Sequence, residues 1–113
     1  MDIHFDDEFI KASKKLSQAD KALTKKAITL ILRYYKGDTV PHGLGLKKLG
    51  LTSEGRVWEA RVGLHWRILF LENKDHSSLF FRRISTHEEV QRFLKSFLLN
   101  THLQSKGVYK GLF

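Results

Sequence analysis

The stretch 55-GRVWEARVGLHWRILF-70 contains two runs in which apolar and polar residues alternate, and a short GLH segment separates the runs. Alternation with a period of two is typical of a β-strand that buries one face. A three-residue loop at 63–65 would bring the apolar residues of both runs onto the same face, because any one-residue shift reverses the pleat. The stretch therefore predicts an antiparallel hairpin with three apolar pairs: Val62 with Trp66, Ala60 with Ile68, and Trp58 with Phe70.

The same register places Arg61 directly opposite Arg67 on the polar face of the hairpin. Like charges that face each other across a sheet destabilise it. The pair therefore indicates that an anion, such as a phosphate group, comes between the two guanidinium groups.

Residues 78–85, SLFFRRIS, follow a polar turn and are predicted to form the third strand of this meander. Simple alternation would put Phe80 and Ile84 on one face of the strand. Leu79, Phe81 and Arg83 would then lie on the other face.

A helix is expected immediately after this strand. Thr86 is a good N-cap residue, and Glu88 and Glu89 lie in the first turn, where acidic side chains suit the helix dipole. The apolar stripe of the helix consists of Val90, Phe93, Leu94 and Phe97. Residues 100–113 show no strong period, and we expect them to form a loose tail.

Upstream of the hairpin, residues 1–5 are compatible with a short strand, and two helices follow. Asp6 or Asp7 would cap the first helix, Ser17 would open the second, and Gly37 would end it. The apolar stripe of the second helix is Leu23, Ala27, Leu30 and Tyr34. Residues 41–55 are rich in glycine and are interpreted as a loop with a brief LKKL turn. The predicted order is β-α-α-β-β-β-α, an α+β domain in which an antiparallel sheet packs against the helices.

The composition narrows the range of functions. A chain of 113 residues suggests one domain, and the absence of cysteine excludes disulfides and thiol catalysis. The acidic start and the short apolar runs argue against a secretory signal or a membrane span, so we expect a cytoplasmic protein without membrane association. The net charge of +8 favours a polyanionic partner, although solubility and an acidic protein partner would also account for it.

The arginines form the first candidate site. Arg61, Arg67 and either Arg82 or Arg83 would make a cradle for a phosphodiester, because guanidinium groups match phosphate oxygens in two-point hydrogen bonds. Any one of them alone is more often part of a solvated face. As a group they favour anion binding, since Glu59 alone cannot pair with three arginines. Lys47 and Lys48, which precede the hairpin, would help to hold a nucleic-acid backbone.

The second candidate is His87, at the start of the last helix. Beside the arginines, its imidazole is suited to donating or accepting a proton, although a lone histidine there is usually a capping or surface residue. His42 and His65 lie in predicted loops, and either could border the same cleft. The histidines lack metal-binding spacing, and the glycines lack the ending of a nucleotide-binding loop, so we expect neither a metal nor a small-molecule cofactor.

Four short motifs, taken in order, resemble the RelE/ParE superfamily of bacterial type II toxin–antitoxin modules. They are LKKL, GRVWEARVG, HWRILFLE and LFFRRISTHEEVQRFL, and the last matches the branch with a T-H-x-[DE] ending. The resemblance spans residues 1–99 as a single toxin domain and leaves 100–113 as a C-terminal tail. It implies an α+β toxin in which a curved antiparallel sheet packs against an N-terminal helical hairpin and a C-terminal helix.

For function, the resemblance implies an endoribonuclease that cleaves mRNA on the ribosome and is neutralised by a cognate acidic antitoxin. The basic sheet residues of the family correspond to Lys47 or Lys48, Arg61, Arg67, and Arg82 or Arg83, and the proton-transfer histidine to His87. No tyrosine follows the sheet where some members use one, and Phe93 is the nearest aromatic residue.

The chemistry of RNA supplies its own nucleophile, the 2′-hydroxyl, so the protein has only to position the phosphate, stabilise charge and move protons. The general base stays open among His42, His65 and Glu59. Two alternative hypotheses stay open. The chain could be a ParE-like toxin that poisons DNA gyrase by binding it, or an inactive relative that only binds an antitoxin.

Overall fold

The computed structural model describes residues 1–93. The expectations for the end of the last helix and for the 100–113 tail lie outside these residues. The strands are β1 (Asp2–Phe5), β2 (Lys47–Leu51), β3 (Gly55–Val62), β4 (Trp66–Asn73) and β5 (Ser78–Thr86). The helices are α1 (Asp7–Lys14) and α2 (Gln18–Tyr35), followed by a 3₁₀ turn (His42–Leu44); residues 87–93 are also helical.

The five strands form one sheet in the order β1-β5-β4-β3-β2. The α+β class is confirmed, and β2 to β5 are antiparallel neighbours as predicted. The prediction of an entirely antiparallel sheet is wrong, because β1 pairs with β5 in parallel. A parallel pair needs a long crossover, and here the two helices and three strands between β1 and β5 supply it.

Strand β2 was not expected, because residues 47–51 were interpreted as part of a loop. The sequence KKLGL has no clear alternation, and a bulge between Lys48 and Gly50 interrupts its pairing with β3. It is an edge strand, and short edge strands with exposed lysines are a common way of discouraging further strand pairing.

The hairpin prediction is confirmed in full. Val62 pairs with Trp66, Ala60 with Ile68 and Trp58 with Phe70, and Arg61 lies opposite Arg67. The apolar face of the hairpin joins the core beneath α1 and α2. We call the opposite side of the sheet the outer face.

The predicted faces of β5 are wrong at one end, because a bulge interrupts the alternation. Leu69 pairs with Arg83 but Phe70 pairs with Phe81, so Arg82 is the extra residue. Ile84 therefore joins Phe81 in the core beneath the helices, whereas Phe80 packs on the outer face.

The helical hairpin begins and ends as expected. Asp6 is the N-cap of α1, and the Ser17 side chain accepts a hydrogen bond from the Asp20 amide at the start of α2. The buried stripe of α2 is displaced from the prediction: Thr24, Ala27 and Ile31 are buried, whereas Leu23 and Tyr34 are exposed. Within residues 1–93, no helix combines the length and the apolar character needed to cross a bilayer.

Candidate functional site

Two rows of paired residues cross the outer face of the sheet. The first row is Lys47, Glu59, Leu69 and Arg83. The second row is Arg61, Arg67 and Ser85. Successive residues on one face of a strand are separated by about 7 Å, so the two rows are direct neighbours. We call the four basic residues of these rows the cationic face: Lys47, Arg61, Arg67 and Arg83.

Arg67 and Arg61 differ in their freedom to move. Arg67 as a whole residue is only 9% exposed, and its Nη1 donates to the carbonyl oxygen of Trp66 at 2.9 Å. A weaker contact of 3.5 Å joins the same atom to the Leu64 carbonyl in the β3–β4 turn. Arg61, directly opposite, is exposed. Arg67 is thus a fixed charge in the floor of the outer face, and Arg61 is available to a ligand.

The bulge in β5 separates the roles of the two adjacent arginines. The Arg82 Nη1 lies 3.1 Å from both carboxylate oxygens of Asp6, and its guanidinium carbon lies 4.9 Å from the Phe80 ring centroid. Arg83 belongs to the row that contains Glu59, and its guanidinium carbon lies 4.4 Å from the centroid of Phe93. The structure therefore brings Arg83, and not Arg82, together with Arg61 and Arg67.

His87 is the first residue of the helical segment that follows β5, and its side chain is exposed. Ser85, two residues earlier, pairs with Arg67, so the His87 backbone is about 7 Å along the chain from the second row. Thr86 and Glu89 form a capping box: the Thr86 hydroxyl accepts from the Glu89 amide at 3.3 Å, and the Glu89 carboxylate accepts from the Thr86 amide at 3.2 Å. This box determines where the helix begins and hence where the imidazole stands.

Removing the cap should loosen this helix start. We expect Thr86→Ala to lower the free energy of unfolding by about 1 kcal/mol, because an N-cap hydroxyl is lost. Urea denaturation measures the change, and Thr86→Ser is the matched control, since serine retains the hydroxyl. Equal midpoints for the alanine variant and the native chain would contradict the importance of the capping box.

The remaining predicted residues are spread over three places. Lys48 pairs with Trp58 on the side of the sheet opposite Lys47, and its Nζ lies 5.4 Å from the Trp58 ring centroid. His42 is exposed in the 3₁₀ turn and lines a pocket with Arg61. His65 is exposed in the β3–β4 turn, beside the carbonyl oxygens that bind Arg67.

Glu59 lies closer to the center of the outer face than the sequence pattern suggested. It is 7% exposed, lies between Lys47 and Leu69 in the first row, and its Oε2 has no hydrogen-bond partner among residues 1–93. A buried carboxylate without a partner is costly, and nearby basic side chains reduce that cost. Strict alternation in VWEARV placed Glu59 on the polar face, but it gave no sign that this part of the face is buried.

A second polar cluster lies on the core side of the sheet. The Glu72 Oε1 accepts from the Tyr35 hydroxyl at 3.2 Å and from the Trp58 Nε1 at 3.1 Å, and its Oε2 lies 2.6 Å from the His76 Nδ1. Burial raises the pKa of Tyr35 above its usual range, and the negative charge of Glu72 adds to the effect. The Tyr35 phenol therefore stays protonated and links the end of α2 to the sheet.

Residues 1–93 contain no group of three or more side chains arranged to hold a metal ion. The candidate site consists of basic side chains, one carboxylate and one imidazole. Such a set is suited to binding a phosphodiester and transferring protons.

No protein-family model and no curated protein matches the sequence. Solved structures do match the fold. The archaeal RelE–RelB complex from Pyrococcus horikoshii OT3 is 20% identical with a TM-score of 0.59, over 75% of this chain and 92% of that chain. The DinJ–YafQ complex from E. coli is 22% identical with a TM-score of 0.60, over 79% and 96%. A metal-bound toxin from Helicobacter pylori is 14% identical with a TM-score of 0.53, over 80% and 98%.

These alignments span nearly the whole of each matched chain, at sequence identities where the likeness is one of fold. Apart from the parallel pairing of β1, the N-terminal helical hairpin and the sheet described above agree with the architecture that the sequence motifs implied. The chain has the fold of RelE and YafQ.

Proposed function

We propose that this chain is the toxin of a type II toxin–antitoxin module and that it cleaves RNA on the outer face of its sheet. The observation that carries the proposal is the grouping of Arg61, Arg67 and Arg83 on that face, with His87 at its end. The two rows themselves contain three guanidinium groups, the Lys47 ammonium group and the Glu59 carboxylate, so their summed charge is positive. A phosphodiester suits such a surface.

In the proposed reaction the ribose 2′-hydroxyl attacks the adjacent phosphorus, and the bond from phosphorus to the 5′-oxygen breaks. The products are a 2′,3′-cyclic phosphate and a 5′-hydroxyl end. Arg61 and Arg83 bind the phosphate oxygens. Together with the fixed charge of Arg67, they stabilise the extra negative charge of the transition state. His87 donates a proton to the leaving 5′-oxygen.

Glu59 is the group that we propose accepts the proton of the 2′-hydroxyl. It lies in the first row of the outer face, between Lys47 and the strand that carries Arg67, and one of its oxygens has no hydrogen-bond partner within residues 1–93. His42 lies in the 3₁₀ turn and His65 in the β3–β4 turn, and neither belongs to the two rows of paired residues on the outer face.

The partners that we propose are mRNA on the ribosome and an acidic antitoxin. The net charge of +8 is suited to both. Two of the structural neighbours were solved as the complexes RelE–RelB and DinJ–YafQ, and the latter is described as a toxin–antitoxin complex. A polypeptide that covers the cationic face would block access of RNA to Arg61.

Expression in bacteria, with and without one arginine, tests the proposal. We expect the native chain to arrest growth and cut mRNA, and Arg61→Ala to reduce cleavage by about 10²- to 10³-fold, as for the loss of one transition-state donor. Arg33→Ala is the matched control, because it removes another exposed arginine, from α2. Two results would instead favour a gyrase poison that acts through the helical hairpin. One is DNA damage while the mRNA stays intact, and the other is growth arrest that is lost in Arg33→Ala but not in Arg61→Ala.

A further inference from the structure

A pocket of about 440 Å³ opens beside β3, next to the segment at 40–46 that leads into β2. The end of α2, the segment at 40–46 and β3 form its walls. Its volume lies in the range of about 300–1,000 Å³ that is typical of small-molecule sites. The lining residues on which the argument depends are Tyr34, His42, Gly43, Gly45, Trp58 and Arg61.

One wall of the pocket is aromatic. Tyr34 is 39% exposed, although it belongs to the stripe that the sequence predicted to be buried. Its ring meets the Trp58 ring edge-on at a centroid distance of 6.1 Å. Trp58 is itself held by the Glu72 carboxylate and by stacking on Phe70. Tyr34 therefore presents an exposed ring on a rigid support, and any of the four nucleobases can stack on such a ring.

Arg61 also lines the pocket, and Gly45 makes room for it. Gly45 has a φ of 57°, in the left-handed region, and a Cβ added there would lie only 3.0 Å from the Arg61 Cδ and 3.1 Å from its Nε. The absence of a side chain at Gly45 thus allows Arg61 to lie across the backbone. Arg61 belongs both to this pocket and to the cationic face.

Two further polar side chains lie near the aromatic wall. His42 is an exposed lining residue, and the Lys48 Nζ lies 5.4 Å from the centroid of the Trp58 ring, which also lines the pocket. An imidazole and two basic side chains around an aromatic wall suit a ligand with a flat ring and an anionic group, as in a nucleotide.

We infer that this pocket binds a single nucleotide of the RNA strand, next to the phosphate that lies on the cationic face. The base stacks on Tyr34, and Arg61 contacts the scissile phosphate, to which this nucleotide is attached. The inference rests on the proposed function for its place in the reaction, but nucleotide binding can be measured without any cleavage.

The test is titration of the isotope-labelled full-length chain with each of the four ribonucleoside monophosphates, followed by NMR. We expect saturable shifts of the Gly43 and Gly45 amide signals. Tyr34→Ala should weaken binding by about 5- to 150-fold, which is the loss of one stacked base. Tyr34→Phe is the matched control and should bind nearly as well, because it keeps the ring. Inorganic phosphate should not reproduce the shifts.

Three results would overturn the inference: no saturable shifts with any nucleotide, the same shifts with inorganic phosphate alone, or undiminished binding by Tyr34→Ala. Its failure is distinguishable from that of the proposed function. If nucleotides bind but mRNA stays intact in cells, the nuclease proposal is rejected and the pocket assignment is kept. If mRNA is cleaved but no nucleotide binds, the pocket assignment is rejected and the nuclease proposal is kept.

Discussion

Replacing His87 with alanine should reduce RNA cleavage by about 10²- to 10⁴-fold, the usual contribution of a positioned acid or base. Growth arrest should be lost with it. The proposed proton donor to the leaving 5′-oxygen would be missing, whereas the basic side chains that bind the phosphate would remain. The rate of cleavage of a defined mRNA, measured with the purified native and variant chains, gives the effect.

Stability must be measured alongside activity. His87 is exposed, so its replacement should change the free energy of unfolding by no more than about 0.5 kcal/mol. His4→Ala is a suitable control, because it removes another exposed histidine, which stacks on Phe80 at the β1 edge of the sheet. Full cleavage by the His87 variant, or an equal loss in the His4 variant, would contradict the assignment of His87 as proton donor.

The second large effect is expected in the core. Phe70→Ala should lower the free energy of unfolding by about 3–5 kcal/mol, because truncating a buried aromatic leaves a cavity. Phe70 has no exposed surface, and its ring contacts those of Trp58, Tyr35 and Phe81. A domain has only ~5–15 kcal/mol of stability in total, so this variant should be close to unfolding.

Phe5→Ala provides the matched comparison for the core. It is the same chemical change at a residue that is 43% exposed, although its ring also stacks on Phe81. We expect less than half of the loss seen for Phe70. Urea denaturation of both variants and the native chain measures the difference, and similar losses would contradict the position of Phe70 at the center of the core.

The central hairpin was predictable because all of its determinants are local. Alternation defined two strands, and the parity of the loop allowed a single register that keeps Trp58 and Phe70 on the same face. The position of Arg61 opposite Arg67 followed directly. Thr86 was recognisable as a cap for the same reason, since a capping residue acts on the next few amides.

Other features depend on contacts between distant parts of the chain. Alternation could not reveal the bulge at Arg82, whose side chain pairs with Asp6 from the start of the protein. Nor could it reveal that β1 joins the sheet in parallel, since a strand pattern does not name its partner. Strand β2 was missed because an edge strand rich in lysine and glycine carries little hydrophobic pattern.

The candidate site was predictable only as a set of residues on one face. The burial of Arg67 and Glu59, and the choice of Arg83 over Arg82, depend on packing and on the bulge. The pocket beside Arg61 depends on the left-handed conformation of Gly45 and on the exposure of Tyr34, which the helical pattern assigned to the core.

The most direct test of the account is the chemistry of the RNA ends after the chain acts on a translated mRNA. We predict new 5′-hydroxyl ends, paired with 2′,3′-cyclic phosphates, for the native chain, and their near absence for the His87→Ala variant at equal concentration. Growth arrest with uncut mRNA, or cut ends that carry 5′-phosphates, would contradict cleavage by the 2′-hydroxyl on the cationic face.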